Sequence, residues 1–212
     1  MRELYVVLGD VVRSRAVDDR EAFRERLETA CEDANDVTEG VVAPFSVLKG
    51  IDEIGGVLDR ASDVYRIARS VATQLRPHRI RLAVARGTVD VGLETGDVAR
   101  MDGGAFHEAS DLLERVEREG LYFDLRTGRR SLDTSVADVV NLLLEQRHEW
   151  TDRQREVAER YRELGAQQAV ADELDVSQQA VSRTLQQASW PLVSTVEERL
   201  QRTLDTAYGV GA

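Results

Sequence analysis

The sequence contains one cysteine, one lysine and no long apolar run. The single cysteine, Cys31, excludes an internal disulfide framework and a zinc site built from cysteines. No segment approaches the roughly 18 consecutive apolar residues that a membrane-spanning helix needs. Residues 1–8 pass directly into an apolar, strand-like pattern without a small-residue cleavage site, so no signal peptide is predicted. We therefore expect a soluble, cytoplasmic protein with no membrane partner.

Carboxylates are abundant in this sequence, whereas lysine is nearly absent. Lys49 is the only lysine among 28 basic residues, and 39 acidic residues give the chain a formal net charge of −11. An ordinary acidic protein and a halophilic protein both fit this balance, and the joint acidity and lysine loss favour the second. The acidic total by itself argues against nucleic-acid binding. With 212 residues, the chain is long enough for one or two domains with a real core.

Strand-like and helix-like patterns alternate over residues 1–130, whereas residues 131–212 show only helical patterns. The order of the patterns indicates an α+β domain of ferredoxin-like type with helices on one face of its sheet, followed by an all-α domain. Strands are predicted at 4–8, 41–48, 80–91 and 121–125, with one more directly after a turn with glycines at 50–56, and helices are predicted at 18–35, 61–75 and 105–119.

The segment 151–189 has the spacing of a helix-turn-helix. Thr151 and Gln154 fit a capping box at the start of its first helix. Asp175 occupies the turn position where glycine is commonest, and aspartate tolerates the left-handed conformation better than most residues. Ser177 then caps a last helix whose exposed face suits the edges of DNA bases. The residues of that face are Ser177, Gln178, Gln179, Ser182, Arg183 and Gln186.

Acidic residues are missing from positions 176–195, which weakens the objection that the net charge raises against DNA binding. A generic three-helix bundle with a polar outer face is the alternative interpretation. In strong brine the gain from counterion release shrinks, so uncharged hydrogen-bonding residues would carry more of the recognition. A further helix is predicted after Trp190 and Pro191, with an apolar stripe that packs on the bundle or forms a homodimer contact. The stripe consists of Leu192, Val196, Leu200 and Leu204.

Two aspartates in the first domain are candidate metal ligands. Asp10 follows a predicted strand and Asp52 lies in a predicted turn, and such carboxylates suit a hard cation such as Mg²⁺. Arg13 and Arg15 are candidates for binding a phosphate group, which arginine does well. Glu53 is a candidate third carboxylate. For all of them the alternative is an ordinary role in a turn or a solvated loop.

Four short motifs occur in an order that resembles the SatD family. The resemblance covers about residues 3–200 and includes Trp150, Thr151 and the predicted helix-turn-helix. Gly55 departs from the pattern, since the family often has glutamine there. The motifs are GDVVRSR at 9–15, DEIGGVL at 52–58, IRLAVARG at 80–87 and DGGAFHEA at 102–109.

The same motifs are also similar to those of class III nucleotide cyclases, which implies a cyclase-like fold and a nucleotide ligand. In that similarity Asp10 and Asp52 match the metal-binding aspartates, while the positions of the catalytic asparagine and arginine are His107 and Asp111. An aspartate in place of the arginine would repel developing phosphate charge, so cyclase activity is not expected.

Three functions are consistent with the sequence as a whole. We favour a DNA-binding transcriptional regulator with a ligand-sensing domain. A metal-dependent nucleotidyl or phosphoryl transferase and a protein-interaction scaffold are the alternatives.

Overall fold

A computed structural model describes residues 3–14, 17–48, 50 and 52–209. This part of the chain is a mixed α+β protein with five strands and eight α-helices. The strands are β1 (Glu3–Val11), β2 (Val41–Val47), β3 (Glu53–Leu58), β4 (Ile80–Thr88) and β5 (Phe123–Arg126). The helices are α1 (Arg20–Asp36), α2 (Val64–Gln74), α3 (Gly104–Glu119), α4 (Arg130–His148), α5 (Asp152–Leu164), α6 (Gln167–Glu173), α7 (Gln178–Gln187) and α8 (Trp190–Tyr208).

The chain divides into two compact units. The first comprises residues up to Asn141 together with those from Gln201 onward, and the second is Leu142–Leu200. The unit boundaries therefore fall within α4 and within α8. No helix in the described ranges is long and apolar enough to cross a membrane.

The strands form one sheet in the order β2-β3-β1-β4-β5. The central strand β1 is antiparallel to both of its neighbours, and β5 is parallel to β4. Four consecutive residues of β1, Leu4 to Val7, are buried. Because side chains alternate between the two faces of a strand, this burial requires cover on both faces. Both faces of β1 are therefore covered within the described part of the chain.

Helix α3 covers one of these faces. Its Ala105 and Ala109 pack in the same buried cluster as Leu4 and Val6 of β1. A Cβ atom added at Gly87 of β4 would lie 3.1 Å from the backbone nitrogen of Ala105. Small residues on both elements thus let the helix approach the sheet closely.

The hairpin between β2 and β3 is tighter than the sequence pattern predicts. Gly55 and Gly56, which the pattern assigns to the turn, both lie inside β3. A Cβ atom at Gly56 would lie 2.8 Å from ring atoms of Phe45 on β2. The turn itself is closed by Leu48, whose amide donates to the carbonyl oxygen of Glu53 at 2.9 Å. Glycine at position 56 is therefore required by the packing of the aromatic ring.

Helix α8 begins earlier than predicted, and its buried stripe differs from the predicted one at Leu192. The chain turns at Ser189, which has a positive φ of 52°, and the helix starts at Trp190. Pro191 occupies the first turn, where the missing amide is not needed for a helical hydrogen bond. Leu192 is 65% exposed, and Val193 takes the buried position. The predicted apolar stripe is thus wrong at Leu192.

The second unit contains a buried pair of charges. Arg147 on α4 lies 3.2 Å from Glu197 on α8, and both side chains are more than nine-tenths buried. Arg162 on α5 donates to the second carboxylate oxygen of Glu197 at 2.6 Å. The indole N–H of Trp150 donates to the carbonyl oxygen of Ala188 at 2.9 Å. These contacts join α4 and α5 to α8, and the segment after α4 to the end of α7.

Candidate functional site

The segment predicted to be a helix-turn-helix contains three short helices, α5, α6 and α7. The capping box at the start of α5 is confirmed: Thr151 Oγ1 accepts from the amide of Gln154, and Gln154 Oε1 accepts from the amide of Thr151. Helix α5 ends at Gly165, which has a φ of 70°. The two caps satisfy backbone groups that a short helix leaves without partners.

The turn between α6 and α7 has the predicted backbone conformation. Asp175 has a φ of 51°, in the left-handed region. Ser177 caps α7, because its Oγ accepts from the amide of Ala180 at 3.2 Å. Ala171 on α6 and Val181 on α7 are both buried. A small residue on one helix and an apolar residue on the next permit the two helices to pack closely.

The polar face of α7 is a single surface. A shallow depression is lined by five of the six predicted DNA-contacting residues, Gln178, Gln179, Ser182, Arg183 and Gln186. The sixth residue, Ser177, is exposed at the helix start.

The chemistry of this face suits recognition of bases. Glutamine amides donate and accept hydrogen bonds, and a guanidinium can donate to guanine or to phosphate. None of the five residues that line the depression is acidic.

A second cluster of polar residues lies in the first unit, where three strands present a row of charged side chains. In the register of the sheet, Asp10 of β1 is opposite Glu53 of β3 and opposite Arg81 of β4. Residues directly opposite each other point to the same face of a sheet. Arg81 Nη1 donates to Asp10 Oδ2 at 2.9 Å and to Glu117 Oε1 of α3 at 3.0 Å. The positive charge beside Asp10 is therefore the Arg81 guanidinium.

Asp52 joins this cluster from the hairpin. Its carbonyl oxygen accepts from the amide of Val11 at 2.8 Å, and its carboxylate accepts from the hydroxyl of Ser14 at 2.8 Å. Burial raises the pKa of Asp10 above its usual value against the opposing effect of Arg81, and the charges of Glu117 and Asp52 raise it further. The Oδ1 atom of Asp10 is buried and has no hydrogen-bond partner among the described residues. The structure thus brings Asp10 and Asp52 to the same end of the sheet.

The other predicted residues of this region do not all join the cluster. Arg13 is exposed in the loop after β1 and has a φ of 58°, and Arg15 lies outside the described residues. His107 and Asp111 are exposed on α3, with His107 Nε2 lying 3.5 Å from a carboxylate oxygen of Asp102.

The described ranges contain no group of three or more His, Cys, Asp and Glu residues that could hold a metal ion. The expectation of a Mg²⁺ site therefore rests on Asp10 and Asp52 alone.

Sequence patterns did not single out Arg81 and Glu117 as members of the site. Arg81 alternates with apolar residues in a strand pattern, and Glu117 lies in a charged stretch of helix. Only the pairing of β1 with β4 and the packing of α3 bring these side chains to Asp10. The only signal in the sequence is that Arg81 is a charged residue among the apolar residues at the start of β4.

The fold and these sites define a mixed α+β protein with a capped three-helix segment near its C-terminal end. The sequence matches the SatD family over residues 4–197, and the chain belongs to that family. This confirms the family assignment made from the four motifs. The chain is also similar to the crystal structure of a regulator of polyketide synthase expression from Bifidobacterium adolescentis. That similarity has 14% identity and a TM-score of 0.30, and it covers 97% of this chain and 83% of that one. A likeness this distant carries no argument about function. No curated protein matches the chain.

Proposed function

We propose that this protein is a DNA-binding transcriptional regulator in which α5, α6 and α7 form a helix-turn-helix and α7 is the recognition helix. The observation that carries the proposal is the polar depression on α7. Its lining of Gln178, Gln179, Ser182, Arg183 and Gln186 combines exposure with side chains suited to bases.

The local charge of this surface supports DNA as the partner. Thirty-nine acidic residues are distributed along the chain, yet none lies between positions 176 and 195. An acid on this face would repel phosphates, which lie close to any helix that enters the major groove. We infer that the acid-free stretch reflects contact with a polyanion.

The composition of the same surface fits a protein that works in high salt. Arg183 is the only basic residue between positions 176 and 195. Phosphate contacts weaken as salt rises, and the screening length falls to about 3 Å at 1 M salt. Hydrogen bonds from glutamine to bases do not depend on counterion release. The halophilic character and the glutamine-rich surface are thus parts of one proposal.

The first unit is proposed to be the ligand-sensing part, with a ferredoxin-like, cyclase-like core. Its first four strands alternate with helices as βαββαβ, and they pair in the order β2-β3-β1-β4. We propose a cytoplasmic homodimer as the functional form, because operators commonly contain two half-sites. A nucleotide is the proposed ligand class on the basis of the cyclase similarity.

A gel-shift assay with genomic fragments in high-salt buffer tests the proposed function. We expect a band with sequence preference that is lost in Gln179→Ala and in Arg183→Ala. Gln146→Ala is the matched control, since Gln146 is an exposed glutamine of the same unit outside the depression. The proposal fails if no fragment is preferred, or if all three variants behave alike.

A metal-dependent nucleotidyl or phosphoryl transferase is a second candidate, favoured by one observation. The Asp10 Oδ1 atom is buried without a partner near Asp52, as a carboxylate prepared for a cation would be. Asp10 and Asp52 would hold Mg²⁺, which would neutralise phosphate charge when bound. Turnover of nucleoside triphosphates that requires Mg²⁺ and disappears in Asp10→Ala would establish this function, and absence of turnover in the parent protein would exclude it.

A further inference from the structure

The first unit contains a cavity whose lining includes neither the α7 face nor the carboxylate cluster around Asp10. It lies where β5 leads into α4 and has a volume of about 540 Å³. Small-molecule sites in proteins commonly have volumes of about 300–1,000 Å³. Its charged lining residues are Arg115, Asp124, Arg126, Arg130 and Asp133.

The two acids of this cavity are occupied by internal contacts. Asp124 accepts hydrogen bonds from Arg115 and from the amide of Leu125. Asp133 accepts from the amide and hydroxyl of Thr127, from the amide of Arg129 and from the hydroxyl of Tyr208. Its carboxylate is thus satisfied by buried donors. Neither acid therefore needs a cation from a ligand.

The arginines are satisfied to different degrees. Arg115 pairs with Asp124, and Arg126 pairs with Glu108 of α3. Arg130 forms no ion pair within the described part of the chain. Its guanidinium is therefore free to pair with a bound anion, beside the two arginines that already have carboxylate partners. The lining carries three arginines against two aspartates, and Arg130 is the arginine left to pair with an anion.

We propose that this cavity binds a small phosphorylated molecule, with Arg130 as its main charged contact and Arg126 as a second. The forked guanidinium matches the oxygens of a phosphate group, and the remaining volume accommodates an organic part. The proposal deepens the ligand-sensing role proposed for the first unit, since it names the site and the ligand chemistry, and it would stand whether or not the second unit binds DNA. It also differs from the carboxylate cluster around Asp10, whose residues do not line this cavity.

Isothermal titration calorimetry with the full chain tests the proposal. The probes are ribose 5-phosphate and inorganic pyrophosphate, with ribose as the uncharged control, at a constant chloride concentration and without Mg²⁺. We expect both phosphates to bind and ribose not to bind. Arg130→Gln should weaken binding about tenfold or more, because a charge-assisted hydrogen bond is lost. Arg130→Lys should retain part of the affinity, since a lysine keeps the charge but loses the fork.

Arg20→Gln is the control variant, because Arg20 is an exposed arginine of the same unit outside the cavity. The site assignment is overturned if neither phosphate binds, or if Arg130→Gln and Arg20→Gln bind them equally well. Arg126→Gln provides an independent variant should Arg130→Gln lower the melting temperature. A DNA duplex added in excess should not displace ribose 5-phosphate, and displacement would identify the cavity as a contact for DNA backbone instead. Gln179→Ala should leave phosphate binding unchanged, which separates this site from the proposed function.

Discussion

Asp133 illustrates how a single residue organises the junction between β5 and α4. The side chain is 4% exposed, and its two oxygens accept four hydrogen bonds. Burial raises the pKa of the Tyr208 hydroxyl, and the hydrogen bond to Asp133 raises it further. The tyrosine therefore remains a neutral donor, and the buried carboxylate keeps its partner over the physiological pH range.

Removing this carboxylate should destabilise the protein strongly. In Asp133→Ala several buried donors lose their acceptor, and each costs about 1–3 kcal/mol. We expect the free energy of unfolding to fall by about 3 kcal/mol or more, measured by urea denaturation. The exposed Asp138 lies on the same helix, and Asp138→Ala should change stability by less than about 0.5 kcal/mol. Equal effects of the two substitutions would refute this role of Asp133.

Cys31 should be chemically inert in the folded protein. Burial is the largest cause that raises the pKa of its thiol to about 12, and nearby Glu28 and Glu32 add to the effect. Since the thiolate is the reactive form, iodoacetamide at pH 8 should label Cys31 only after denaturation. Labelling of the native protein at the rate of the unfolded chain would contradict this assignment.

The same pKa shift has a defined effect on stability. The folded thiol holds its proton to higher pH than the unfolded thiol, whose pKa is 9.0. Its contribution is present below pH 9 and is lost as the pH rises from about 9 towards about 12. Because the cysteine is neutral below that window, no loss of stability from this residue is expected near pH 7.

At the scale of elements, helices α4, α5 and α8 are joined by buried charges. Arg147 and Glu197 are nearly inaccessible to solvent, and Arg162 also contacts Glu197. The guanidinium of Arg147 also lies 4.8 Å from the ring centroid of Trp150, and that of Arg162 lies 4.9 Å from that of Trp190. Each of the two guanidiniums is thus held by both an ion pair and an aromatic face.

Removing one member of the buried pair should destabilise these helices. Arg147 and Arg162 share two carboxylates, Glu159 and Glu197. Glu197→Ala removes the more deeply buried of the two, and we expect a loss of up to about 3–5 kcal/mol in the free energy of unfolding. The neighbouring Glu198 is exposed, so Glu198→Ala serves as the control. The double variant Arg147→Met with Glu197→Leu should recover much of the loss, since it removes one charge of each sign and leaves Arg162 paired with Glu159. A double variant as unstable as Glu197→Ala would show that the charges themselves are needed.

Local patterns predicted most elements, but they could not predict contacts between elements. The capping residues Thr151 and Ser177 were identified correctly because a cap depends only on residues three positions apart. The sequence pattern places Gly56 in the turn. Glycine is needed at this position because of the ring of Phe45, which lies on another strand and gives no local signal. The partnership of Arg81 with Asp10 was missed because it depends on strand order. Local sequence signals therefore predict helices, strands and caps, whereas the composition of a site depends on packing between elements that are distant in sequence.

For the whole molecule, the net charge of −11 and the acid-free stretch at 176–195 are parts of one account. A DNA-binding protein usually carries many phosphate-contacting cations, and its affinity falls steeply with salt. Here Arg183 is the only cation on the proposed surface. We expect the slope of log K against log[salt] to be shallow, and Arg183→Ala to reduce it by about 0.9 if the residue contacts a phosphate. A steep slope that Arg183→Ala leaves unchanged would point to another surface.

The central claim is that α7 reads a DNA sequence through its glutamine-rich face. The most direct test is the ratio of affinities for a selected genomic fragment and for its shuffled sequence, measured by fluorescence anisotropy at a fixed high salt concentration. The parent protein and Gln146→Ala should share one large ratio, and Gln179→Ala should lower it by an amount equivalent to about 1–3 kcal/mol. A parent protein that binds both fragments equally, or a ratio that Gln179→Ala leaves unchanged, would contradict the claim.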